Sequence, residues 1–159
     1  MFSYEYNNGY RPITVKFHGE WERYHYCKAA YMHIKTYSVN DKYVYEKWLF
    51  VSYATPILVI ERMYVMSTGY IIGYNVMWNK DSYRCSATTI HQLSRFLNEL
   101  NYRYGVSISY YTLKEFEKNP IDNPIELYGN VYYMKPISHA EIKEYVTIEC
   151  SKDSPYFAQ

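Results

Sequence analysis

The spacing of hydrophobic and polar positions changes along the chain, and each change marks an element. Residues 13–18, ITVKFH, alternate apolar and polar side chains as a half-buried strand does, and residues 24–37 form a second aromatic stretch, β-like or irregular. From Tyr43 three runs follow, YVYEKWLFVSY, PILVIERMYVM and YIIGYNVMW, each rich in β-branched and aromatic residues. Breaks at Ala54-Thr55-Pro56 and Ser67-Thr68-Gly69 separate them, so residues 43–78 read as an antiparallel meander with short turns.

The period then lengthens. Ile90, Leu93, Leu97, Leu100 and Tyr104 recur at helical spacing with Phe96 widening the stripe, which predicts an amphipathic helix over about 87–104. Thr89 with Gln92 fits a capping box, Ser86 and Thr88 are alternative caps, and Gly105 supplies the stop. SISYY at 107–111 suggests a short strand. TLKEFEKN suggests a short helix capped by Thr112 with Glu115 and ended by Pro120. Asn130 to Lys135 reads as another strand, and Ser138 with Glu141 opens a third helix through Tyr145. This order predicts an α+β fold, an antiparallel sheet with helices packed on one face. With no repeat or linker, residues 1–150 form one expected domain and 151–159 a C-terminal tail.

Composition narrows the function classes. A chain of 159 residues can bury roughly two thirds of its unfolded surface without staples. Cys27, Cys85 and Cys150 show no metal-knuckle spacing, and their odd number favours a reducing compartment. The N-terminal MFSYEYNNGYRPITVKF has no basic stretch followed by an apolar run, and no segment reaches the roughly 18 apolar residues of a bilayer span. The expected location is the cytoplasm, with no membrane partner. Seventeen basic against sixteen acidic side chains oppose binding by phosphate neutralisation and oppose acidic mimicry of DNA alike. The 23 tyrosines stand out. Strand propensity and AT-rich codons account for part of them; the functional reading is low-entropy contact area at an interface.

Catalytic spacings are not evident. His18, His25, His33, His91 and His139 form neither HExxH nor HxH, and no DxD pair offers a two-metal cluster. His25 with Cys27, or His91 near Cys85, makes a Cys-His pair only on paper, since a His in an aromatic strand or near a helix start more often packs or caps. Gly69 and Gly73 are followed by no Gly-Lys-Ser/Thr, so no phosphate cradle is predicted. The expectation is a protein without catalysis, metal or cofactor. Trp48 and Trp78 lie in long apolar runs and read as core, whereas Trp21 is flanked by charges. Glu22, Arg23 and Lys28 interleave with Tyr24, Tyr26 and Tyr31, and together with Trp21 they form the candidate partner-binding surface. A second clue is the acidic-aromatic segment Glu115, Phe116, Glu117, Asp122 and Glu126.

Residues 52–97 resemble a small domain of unknown function common in phage and mobile-element proteins of low-GC Gram-positive bacteria. The likeness rests on Ser52, Tyr53, Thr55, Pro56 and Ile57, then on Tyr83, Ser86, Thr88, Thr89, His91 or Gln92, Phe96 and Leu97, with Arg84-Cys85 departing from the pattern. Such proteins look like phage-encoded anti-CRISPR proteins that inhibit type II-A Cas9. The resemblance implies a host-cytoplasmic inhibitor that binds a Cas9 ribonucleoprotein and blocks or locks a nuclease domain, as a monomer or small homo-oligomer. The alternative is a small nucleic-acid-binding or regulatory phage protein whose exposed tyrosines stack on bases.

Overall fold

The computed structural model describes residues 10–12, 29–38, 40–53 and 55–150. Among them seven strands form one sheet in the order β1-β2-β3-β4-β5-β7-β6. The strands are β1 Tyr10–Pro12, β2 Ala29–Tyr37, β3 Tyr43–Ser52, β4 Thr55–Val65, β5 Ile71–Asn79, β6 Ile125–Leu127 and β7 Asn130–Ile137. The helices are α1 Ala87–Tyr104, α2 Tyr110–Lys118 and α3 His139–Cys150. The fold is α+β, as the residue pattern predicts. The meander β3-β4-β5 is antiparallel throughout. β7 then runs parallel to β5, which requires a long crossover, and α1, α2 and β6 occupy it. The expected 13–18 strand and the 151–159 tail lie outside the described residues.

The helices cover both faces, which corrects the expectation of one. Trp48, Phe50, Leu58, Ile60, Tyr74, Val76 and Trp78 pack with Leu93, Phe96, Leu97 and Leu100 of α1 and with Leu113 and Phe116 of α2. Their neighbours Met32, Ile34, Leu49 and Val59 point the other way and meet Ile142 and Val146 of α3. The reason is visible in the runs WLFV and PILVI, which are apolar at consecutive positions. Alternation puts half of each run on each face, and each half needs its own cover.

Local chemistry sets the boundaries. The cap of α1 is Ser86, not Thr89: the Ser86 hydroxyl accepts the Thr89 N–H at 3.1 Å, and Thr89 itself is a buried residue of the helix. Gly105 ends the helix at φ 70°, a left-handed conformation that glycine adopts without strain. Residues 107–109 are not a strand; Ser109 caps α2 by accepting the Thr112 N–H at 3.2 Å, one turn earlier than the Thr112 cap expected. Thr55 and Pro56 belong to β4 rather than to a turn before it, and the bend before them includes Tyr53 at φ 53°. The Ser138–Glu141 capping box is present, Glu141 bonding the Ser138 N–H at 3.1 Å, and α3 continues past Tyr145. Strand β6 has no clear hydrophobic signal in its three residues.

Ser86→Ala is expected to cost about 1 kcal/mol of unfolding free energy. Thr89→Ser, which keeps the cap, should cost less; denaturant unfolding of both variants compares them, and the reverse order would return the cap to Thr89.

Candidate functional site

Of the residues that sequence reasoning gathers into a binding surface, Trp21, Glu22, Arg23, Tyr24, Tyr26 and Lys28 lie outside the described residues. Tyr31 is described, and it is a core residue at 1% exposure rather than part of a surface. Its ring lies 5.0 Å from that of Phe96, and Arg103 donates to its hydroxyl at 3.4 Å. Burial, with the neighbouring Tyr104, pushes the Tyr31 phenol well above its ordinary range. The acidic-aromatic segment is likewise partly consumed inside: Phe116 is buried, and the Tyr83 hydroxyl donates to Glu117 at 2.6 Å. His91 sits exposed on α1.

The surface that the fold does assemble lies on the α3 face of the sheet. Strand pairing arranges that face in rows. Met32, Leu49, Val59 and Met77 make one row, and α3 packs on it. The next row is Lys47, Glu61, Asn75 and Tyr133. The third is Thr36, Tyr45, Met63 and Gly73. These last two rows line a concave groove of about 580 Å³. A bulge shapes it: pairing passes from Met63–Gly73 to Tyr64–Ile71, so Ile72 is an extra residue and joins the lining. Gly73 contributes no side chain, which leaves the floor hollow between Met63 and the β7 backbone. Tyr45, Ile72 and Tyr133 are 43%, 40% and 48% exposed around it.

The polar row is bonded within itself. Lys47 reaches Glu61 at 3.5 Å, Asn75 donates to Glu61 at 3.2 Å, and the Tyr145 hydroxyl of α3 also donates to Glu61. Lys47 lies over the Tyr145 ring, 5.4 Å from its centre. This row is therefore the seam between the sheet area under α3 and the open groove.

On the opposite face the same strands bury a charged trio. Glu46 accepts from Arg62 Nη2 at 2.6 Å and lies 2.8 Å from His33 Nε2. Arg62 Nη1 donates to the Tyr104 carbonyl at 2.8 Å, meeting one of the unpaired carbonyls at the end of α1. His33 stacks on Trp48 at 5.1 Å, and the Arg62 guanidinium lies 5.1 Å from the Trp48 ring centre. Burial pushes the Glu46 carboxyl up, but the His33 bond and the Arg62 charge outweigh it and hold the group below its usual range. Arg62 is likewise held above its ordinary value, the Glu46 charge outweighing burial. The trio braces the end of α1 against the sheet.

Among the described residues no group of three His, Cys, Asp or Glu is placed to hold a metal ion, and no helix is long and apolar enough to cross a membrane. Sequence reasoning missed the groove because its residues come from five strands. The available signals were Gly73 inside a strand, which marks a bulge or a close approach, and the polar-aromatic alternation of YVYEKW.

Glu46→Gln leaves Arg62 buried beside a neutral group, and a loss of about 3 kcal/mol is expected. A carboxyl whose folded pKa is depressed stabilises fully above its unfolded value and loses that contribution as pH falls through the folded one. The native protein should therefore lose stability as pH drops below about 4.5, and Glu46→Gln should lose less over the same window. Parallel pH profiles of the two proteins in urea unfolding would count against the trio.

No protein-family model, curated protein or solved structure matches this chain.

Proposed function

We propose that this protein acts by binding another protein through the tyrosine-rimmed groove, without chemistry of its own. The observation that carries the reading is the half of the α3 face that no described residue covers. There Tyr45, Ile72 and Tyr133 stand partly exposed around a hollow floored by Met63 and Gly73, while helices cover the rest of the sheet's centre. Tyrosine suits such a surface because its ring adds large rigid contact area and its hydroxyl keeps a hydrogen-bonding handle. The resemblance in residues 52–97 favours as the partner a type II-A Cas9 ribonucleoprotein in the host cytoplasm, inhibited by steric blocking or conformational locking.

The test is DNA cleavage by a panel of type II-A Cas9 ribonucleoproteins with and without the protein, together with co-elution on size exclusion. Inhibition with co-elution is expected, and the Tyr45→Ala/Tyr133→Ala variant should bind at least about tenfold more weakly with little change in melting temperature. Absence of both effects across the panel would remove Cas9 as the partner. Binding unchanged in the double variant would remove the groove.

A further inference from the structure

The charges lining the groove are closed on one another. The two rows that line it carry one cation and one carboxylate, Lys47 pairing with Glu61 at 3.5 Å, so one minus one leaves no net charge for an occupant. Glu61 is further occupied by Asn75 and by Tyr145. A nucleic acid strand would need surplus cations along its phosphates, and a charged peptide would need an uncommitted counter-charge. Besides Thr36, what remains on offer is apolar: Met63, Ile72 and the faces of Tyr45 and Tyr133. The volume of about 580 Å³ falls within the roughly 300–1,000 Å³ of ligand-sized sites, room for one large side chain and its flanking backbone.

We infer that the occupant of the groove is an uncharged, extended peptide segment anchored by an aromatic or aliphatic side chain. The inference rests on the protein-binding reading above and specifies the chemistry of the segment recognised. The anchor enters the hollow over Gly73 and Met63, between the two tyrosine rings. The phenol hydroxyls at the rim are suited to the peptide groups on either side, the division of labour that makes tyrosine common in peptide-binding surfaces. Gly73 is the residue that keeps this space open. A Cβ built there meets the Val131 carbonyl oxygen at 3.5 Å, ordinary contact, so the backbone tolerates a side chain and the hollow is what a larger one would fill.

The experiment is a methyl NMR titration of the full-length protein with four probes: the capped peptide Ser-Gly-Trp-Gly-Ser, the same peptide with Glu or Lys in place of Trp, and oligothymidylate. The Trp peptide is expected to shift the Met63 and Ile72 methyls saturably. Its affinity should fall at least about tenfold in Gly73→Leu, which fills the hollow, and in Ile72→Lys, which places a charge at an exposed lining position. The inference is overturned if the Trp peptide leaves both methyls unmoved, or if a charged peptide or the oligonucleotide binds as tightly as the Trp peptide. Either result, combined with loss of Cas9 co-elution in Tyr45→Ala/Tyr133→Ala, would leave the protein-binding reading standing and remove only the chemistry assigned to the segment.

Discussion

A sheet whose central strands are apolar on consecutive positions must be covered on both sides, and this requirement organises the molecule. Trp48 and Phe50 face one way and Leu49 the other; Leu58 and Ile60 face one way and Val59 the other. Burying such side chains contributes about 1.5–3 kcal/mol each, far more than any surface pair in the structure could add. The crossover between β5 and β7 carries α1 and α2 onto one face, and α3, following β7, comes back over the other. Among the described residues, cover on that second face is supplied by one helix. It reaches the row of Leu49 and Val59 and stops at the polar seam of Lys47, Glu61 and Tyr145. The groove is the part of the sheet beyond that seam.

The trio of His33, Glu46 and Arg62 explains why the strands can be polar near the groove without losing the helix on their other side. Arg62 binds the Tyr104 carbonyl where Gly105 turns the chain out of α1, so the helix end is fixed by a side chain of the sheet beneath it. Buried ion pairs are costly to desolvate and poor sources of net stability. Here the pair has the geometry that offsets the cost: two guanidinium nitrogens on one carboxylate oxygen, an imidazole on the other, and an indole ring alongside. The alternating partners Lys47 and Glu61 point the other way and form the seam, so the same two strands brace α1 and shape the groove.

Elements with a strong period were legible in the sequence, and elements defined by cross-strand assembly were not. The meander, the α1 stripe and the Ser138–Glu141 box follow from local spacing and turn chemistry, and all three are present. Cap positions slipped by one turn in both α1 and α2, because Ser86 and Ser109 compete with nearby threonines that fit the same rule. The two-sided cover was written in WLFV and PILVI, whose unbroken apolar character distinguishes a strand buried on both faces from one half exposed. Tyr31 was misplaced because it stands among charged and aromatic residues in sequence, whereas strand pairing sets it opposite Phe50 and beneath α1. The groove joins Tyr45, Met63, Ile72 and Tyr133 from four strands, and only register brings them together.

The central claim is that, among the described residues, none covers the sheet beyond the α3 seam. It is tested most directly by methyl NMR of the methionines in the free protein with a soluble paramagnetic probe. The account predicts strong broadening of Met63 in the groove and of Met66, 46% exposed, with Met32 and Met134 inside the two cores protected. A Met63 methyl as protected as that of Met134 would contradict it, showing that the groove is covered in the protein itself.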